Sequence, residues 1–436
     1  MNDEKDSKVF SNLLFPKICQ TFLMVIHPGK LIIAFMALTV ICLTGWIMDF
    51  SKTAVIVENK QGEVVSTELG VYIANPDRID NYLEKYGPKT RTEGINSQQI
   101  PQRKGVFFLL WRFSAERFNE AVHDFFAFNL PGVAVNIAAY FKAARWVLTY
   151  HSVYCVIFFI IMFAVIALAG GAICRITALQ FARGEKPGIV EALRYSKKKF
   201  WSFFAAPLFP TALLVLAGLC VSLLGLIGRI PGGVGQVIMA LTAPLILLAG
   251  VAIALLSIGT VAGFNLMYPA VAYDGSDFLD AFSRSFHYIF RRPWRMGFYS
   301  TIGVAYGAVC YIFVRLFVFL LILSSRWFLQ IGYQSSDELN KLSAIWPEPS
   351  FMNLRGTSQL AEISGAESFA SVVILLSLLV VLGLLVSFII SYYFSTNTII
   401  YSLMRNKVED IALEEIYTHT DSINAEPLVP ESEEPL

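Results

Sequence analysis

The stretch from Val237 to Val271, VIMALTAPLILLAGVAIALLSIGTVAGFNLMYPAV, holds no charged side chain, and SDFLDAFSRSFHYIFRRPWRMG follows it from Ser276 to Gly297. About 20 apolar residues suffice to cross a ~30 Å hydrocarbon core as a helix. The first stretch therefore reads as a membrane span, and the second explains where the chain turns. Ser276 can cap a helix whose first turn holds Asp277, with Phe278, Leu279, Phe282, Phe286, Ile289 and Phe290 at helical spacing. Asp280, Ser283, Arg284 and His287 fall on the other face. Such a helix is expected in the membrane interface, with Arg291, Arg292 and Arg295 at headgroup level and Pro293 and Trp294 at the turn into the next span.

The same pattern extends outward. Leu31 to Phe50, Val153 to Ile173, Phe200 to Ile227, Phe298 to Leu323 and Phe369 to Tyr393 are also long apolar blocks with almost no charge. Of the 436 residues 56% are hydrophobic and 15% charged, too few polar groups to cover a water-soluble globule of this size. The fold class expected is an all-α polytopic membrane protein with six transmembrane helices, interfacial amphipathic helices and a small extracytoplasmic α+β insertion.

Charge distribution orients the chain, since the formal net charge of +1 carries no signal. Arg175, Arg183, Lys186, Arg194, Lys197, Lys198 and Lys199 fill one short connection, and Arg284, Arg291, Arg292 and Arg295 another. The positive-inside rule places both in the cytoplasm and hence, with six spans, both termini. The division expected is a cytoplasmic segment 1–30, a first span 31–50 and an extracytoplasmic domain 51–150. The second span follows at 151–176, then a cytoplasmic interfacial helix at 177–199 and spans at 200–228 and 237–273. A second interfacial helix at 274–296, a span at 297–326, an outer loop at 327–367, a last span at 368–404 and a partly disordered tail at 405–436 complete the chain. The bacterial inner membrane is the expected location.

A second copy of the amphipathic helix and basic elbow begins at Pro187. Ile189, Val190 and Leu193 oppose Glu191 and Arg194, and Lys197-Lys198-Lys199-Phe200-Trp201 ends it. Residues 189–196 match 278–285 in character, both ending on Ser after Ala-Leu or Ala-Phe. A fainter copy runs from Pro16 to Ile26 before His27-Pro28-Gly29-Lys30. Three units of interfacial helix plus helical hairpin would make six spans, as in many duplicated membrane proteins, although such helices also arise separately.

Within 51–150, Thr53-Ala-Val-Ile-Val-Glu58 and Glu63-Val-Val-Ser-Thr67 flank Lys60-Gln61-Gly62 and predict a β-hairpin. Pro76 to Tyr86 predicts a short helix, Lys89 to Lys104 a polar linker, and Val106 to Phe128 and Pro131 to Val147 two further helices. Beyond Thr418 the Glu, Pro and Ser content predicts disorder; after Glu409-Asp410 a short acidic helix is expected to Tyr417, on an extension that reads as solvated or, in the other reading, as available to a partner.

Candidate sites are few. Glu120-x-x-His123, with Glu116 on the same face, has the ligand spacing of di-iron bundles but lacks a second pair, so no metal site is expected. Gly232-Gly233-x-Gly235 lacks the remainder of a phosphate loop and reads as a tight turn. The six cysteines lie in or beside apolar blocks and suggest no disulfide framework. Pro207, Pro210, Pro244 and Pro269 kink helices or, in the other reading, line a translocation site. Asn265, Arg315 and Asn397 are the candidate intramembrane polar residues. Arg315, counted from Gly297, falls near the outer headgroups, where snorkelling competes with a functional charge. Lys197, Lys198, Lys199, Arg291, Arg292, Arg295, Trp201 and Trp294 are candidate lipid headgroup contacts. Asp274, Asp277, Asp280 and His287 are the local candidates for chemistry on lipid. No catalytic constellation, cofactor motif or nucleic-acid signature is present.

Arg183-Gly-Glu-Lys-Pro-Gly188, Tyr268-Pro-Ala-Val-Ala272, Ser283-Arg-Ser-Phe286, Arg292-Pro-Trp294 and Ile399-Ile-Tyr401 through Arg405 to Tyr417 resemble a group of bacterial multi-spanning membrane proteins with no assigned activity. The resemblance covers about half the chain and implies a bacterial cytoplasmic membrane but no chemistry. The function expected is a membrane-embedded scaffold or subunit, not an enzyme, with the lipid bilayer and membrane proteins or further copies of the chain as partners. A small-solute or lipid transporter or channel is the alternative.

Overall fold

The computed structural model describes residues 18, 21–59, 64–86, 99–228, 233–332, 342–343, 345–351, 353–354 and 365–417. The hairpin turn at Lys60 to Gly62, the start of the faint copy at Pro16 and the tail beyond Tyr417 lie outside them, as do Gly232, all of 89–98 and parts of 327–367.

Among the described residues six helices are long and apolar enough to cross a membrane, which makes this a multi-pass membrane protein. In chain order, α1 (Thr21–Val25) and α2 (Pro28–Met48) precede β1 (Ala54–Asn59), β2 (Val64–Thr67), α3 (Glu68–Ala74) and α4 (Ile79–Tyr86). Next come β3 (Gln99–Lys104), α5 (Val106–Phe126), α6 (Leu130–Tyr150), α7 (Ser152–Arg183) and α8 (Ile189–Lys198). The chain ends on α9 (Phe200–Ile227), α10 (Val234–Asp274), α11 (Phe278–Arg291), α12 (Pro293–Ile331) and α13 (Gly365–Glu409). The spans are α2, α7, α9, α10, α12 and α13. Both α9 and α10 run on as helix through their prolines, at 207 and 210 and at 244 and 269. Neighbouring helices, Ser and Thr hydroxyls such as that of Thr211, which donates to the Pro207 carbonyl, and local adjustments of the turn let a spanning helix tolerate the lost backbone bond.

The chain divides into two compact units, one of Met1–Met36, Ile166–Leu321 and Leu375–Leu436, the other of Ala37–Val165 and Ile322–Ile374. In the first, the centre is built from small residues that admit large neighbours. A Cβ on Gly171 of α7 would stand 2.6 Å from Ser196 Oγ and 2.8 Å from the Phe203 ring, so this glycine lets α8 and α9 approach. Ser196 donates to the carbonyls of Ala167 and Leu168 at 3.1 and 2.7 Å. The same arrangement recurs on α10, where Gly263 lies under Ser285 and Ile289 of α11, and Gly259 under Phe286. Ala192 and Ser196 of α8 and Ala281 and Ser285 of α11 are all buried. The foot of α13, from Phe394 to Met404, is buried throughout. Phe394, Tyr268 and Phe203 form an aromatic row with centroids 5.6 and 5.7 Å apart. Tyr392 donates to the Gly303 carbonyl of α12 at 2.7 Å, and Ser391 to the Val25 carbonyl of α1 at 3.1 Å.

The second unit contains an antiparallel sheet of order β2-β1-β3. Ala54, Val55, Ile56 and Val57 of the central strand are buried, which is why a short, two-faced apolar run takes the middle place. Ile56 opposes Thr67 on one side and Gln102 on the other. Strand β3 corrects the expected polar linker: QIPQRK has weak strand propensity and folds because β1 offers it a register from Ala54↔Lys104 to Asn59↔Gln99. Pro101 is tolerated there because β3 is an edge. Helix α3, also unforeseen, begins on a Thr67 cap that accepts from Gly70 N. Asp49, just beyond α2, accepts from the amides of Phe107 and Phe108, both at 2.8 Å, and so caps α5. Gly105 is required beside it, since a Cβ there would fall 1.8 Å from the Asp49 carboxyl carbon.

Candidate functional site

The foot of the first unit carries its densest polar cluster. Helix α10 ends at Asp274, where the helix dipole disfavours a carboxylate. Cations and hydroxyls from two other helices offset this. Tyr401 donates to Asp274 Oδ2, Arg284 Nη1 lies 3.4 Å from the same oxygen, and Arg405 Nε stands 3.1 Å from Oδ1. That last contact is an ion pair by distance, although its angle does not make a hydrogen bond. Glu409 extends the network: it accepts from Tyr288 at 2.9 Å and lies 3.6 Å from Arg284 Nη1. Burial works against charge on Arg284, but Asp274, Tyr401 and Asp280 more than compensate and raise its pKa. The Tyr288 phenol is held protonated, by burial first and then by Glu409.

Residues 410–417 form no helix and fold back against this foot, which corrects both the short acidic helix and the solvated extension expected from their sequence. Arg175 Nη2 donates to the Tyr417 carbonyl and Nη1 to the Ala272 carbonyl, both at 2.9 Å. Arg405 Nη1 donates to Glu415 O at 2.6 Å, Tyr273 donates to Leu413 O, and Tyr417 N to Tyr273 O at 3.1 Å. Ile416 is buried. Gly275 makes the crossing possible: its φ of +63° suits glycine, and a Cβ would meet the Tyr417 ring at 2.4 Å. Arg175 also lies 4.4 Å over the Tyr195 ring. Tyr195 donates to Val271 O at 2.9 Å, and its pKa is pushed up to about 12, by burial above all.

The residues singled out as headgroup contacts lie at the two elbows. Lys197 and Lys198 are exposed at the end of α8, while Lys199 pairs with Asp277 at 3.4 Å. Arg291 is exposed and 3.4 Å from His287 Nε2, and Arg292 and Arg295 are half-buried. Trp201 is 73% exposed and Trp294 90%, each the second residue of its span. Asp274 and Asp280 are both engaged by Arg284, and Asp277 by Lys199, so three of the four groups considered for lipid chemistry are taken up in ion pairs.

The three intramembrane polar residues are not brought together. Asn265 accepts from the Tyr393 hydroxyl at 2.5 Å, and Asn397 Nδ2 donates to the Tyr393 carbonyl at 2.8 Å, so these two share one neighbour. Arg315 is 5% exposed and donates to the Tyr311 hydroxyl at 2.8 Å, a buried position rather than a snorkelling one. Sequence reasoning passed over Lys30, fully buried at the start of α2, whose Nζ has no hydrogen-bond partner among the described residues. It also passed over Glu68 of the second unit, which accepts from Val55 N, Trp146 Nε1 and His151 Nε2 at 2.9, 3.2 and 3.3 Å. No cluster of three metal-ligating side chains occurs among the described residues. Comparison with family models, with curated proteins and with solved structures returns no match.

Proposed function

We propose that this chain is a non-catalytic integral protein of the bacterial cytoplasmic membrane, with both ends in the cytoplasm, that holds lipids and membrane-protein partners at its inner face. One observation carries the reading. Helices α8 and α11 each pack an Ala and a Ser against a span and each end in a basic elbow followed by a highly exposed tryptophan. Cations beside tryptophan at the end of a span are groups that engage phosphates and the interfacial belt. The matched burial of Ala192 and Ser196 with Ala281 and Ser285 supports the internal repeat, and the motif resemblance supports the bacterial location.

The test is retention of anionic lipid. Native mass spectrometry of the purified chain should show phosphatidylglycerol kept over phosphatidylcholine, with the preference lost when Lys197, Lys198, Lys199, Arg291, Arg292 and Arg295 are all changed to Gln. Undiminished preference in that variant contradicts the proposal.

A small-solute or lipid transporter is the second reading, favoured by Lys30. A buried ammonium without an acceptor inside a bundle is costly and marks many solute pathways. Solute flux in reconstituted vesicles that disappears in Lys30→Met would support it, and vesicles inert to a broad solute panel would remove it.

A further inference from the structure

The second unit holds a groove of about 600 Å³, within the roughly 300–1,000 Å³ range of small-molecule sites. One wall is α5 from Phe108 to Arg117; the other is β2 with α3 from Val64 to Ala74. Its lining is largely apolar, with Ile56, Leu69, Ile73 and Phe113 toward the interior. Arg112, Glu116 and Arg117 supply its charge, net +1.

Two features say what would lie there. The first is depth. Asp49, at the end of the first span, caps the first turn of α5, and Phe107 packs 5.7 Å from Phe158 of α7, itself a span. If the first span crosses the bilayer as proposed above, Phe108 lies close to its end, and the groove runs from there along about nine residues of helix, roughly 13 Å. The second is the cations at the far end. Arg112 spends only Nε on Glu116, at 2.9 Å, and its Nη donors have no acceptor among the described residues. Arg117 gives Nη1 to Glu120 and Asn136, at 2.5 and 3.2 Å, while its buried Nε has no acceptor among the described residues.

We propose that this groove binds one acyl chain of an anionic phospholipid drawn from the adjoining leaflet, with its phosphate at Arg112 and Arg117. The acyl chain lies along the apolar walls between Phe108 and the phosphate. Arg112 and Arg117 set two positive charges against the one negative charge of Glu116, so the groove complements a phosphate. The site is separate from the basic elbows and stands whether or not those bind lipid.

The test is photo-cross-linking in nanodiscs of the full chain with a phosphatidylglycerol carrying a diazirine on one acyl chain. Adducts are expected on the peptides holding residues 64–74 and 108–117, with at least tenfold fewer from the matching phosphatidylcholine probe. Arg112→Gln with Arg117→Gln should reduce them tenfold. Val65→Trp, at the exposed lip of the groove, should block them while leaving the thermal midpoint unchanged, which separates a filled groove from a misfolded one. Adducts absent from both segments, or equal for the two lipids, or undiminished in both variants, overturn the proposal.

Discussion

The two ends of α10 are both free of charge as far as Asp274 and have opposite surroundings. From Leu241 to Val261 most side chains are exposed, and only 6% of the span's most apolar window is buried, against 39% for α7. From Leu266 to Tyr273 every residue is buried. Lipid tails are as apolar as leucine, so the exposed end gains little from protein contact, whereas the foot depends on close fit and on polar groups that satisfy one another. Stability of this chain should therefore be concentrated at the foot.

The sharpest way to break that contrast is Asp274→Ala. It leaves Arg405 and Arg284 without their shared carboxylate in a buried setting, and loss of one partner of a buried pair costs about 3–5 kcal/mol. Thermal unfolding in mild detergent should show the largest fall of any single substitution here. A matched pair sharpens the comparison within α10. Ala270→Leu overpacks a buried position and should cost about 1–3 kcal/mol. Ala254→Leu, on the exposed half, should change stability by less than about 0.5 kcal/mol.

Gly275→Ala addresses the folded-back segment. Its left-handed backbone costs a β-carbon roughly 1–2 kcal/mol, and the clash with Tyr417 should release 410–417, seen as faster amide exchange there than in the parent. The smallest effect concerns His27. Burial first, then Lys30 and Lys186, lower its pKa below 6.5, so the folded chain takes up this proton less readily than the unfolded chain does. The stability that the neutral ring contributes, including the bond from Gly29 N to Nδ1 at 3.3 Å, is present above pH 6.5 and lost as the pH falls below it. His27→Gln should flatten that part of the midpoint's pH dependence.

What was legible in the sequence follows from which forces act locally. Span length is a property of consecutive residues, so the apolar blocks mark the six long helices, and the helical spacing at 189–198 and 278–291 marks α8 and α11. The β1–β2 pairing was visible from two short β-branched runs. Strand β3 was not, because its pairing depends on β1, far away in the chain, more than on its own residues. The cluster at the foot was hidden for the same reason: Asp274, Arg284 and Arg405 each look like an interfacial charge, and only folding brings them together. A carboxylate closing one span and an arginine closing another, both at the boundary assigned to the cytoplasm, was the available signal. The tail 410–417 looked soluble because its binding uses main-chain carbonyls, which carry no residue signature.

The contacts proposed for the inner face depend most on the orientation of these spans. In a cysteine-free background, a membrane-impermeant maleimide on intact cells should label Val65→Cys, while Lys198→Cys and Arg292→Cys should react only after permeabilisation. Labelling of either elbow position from outside would contradict it.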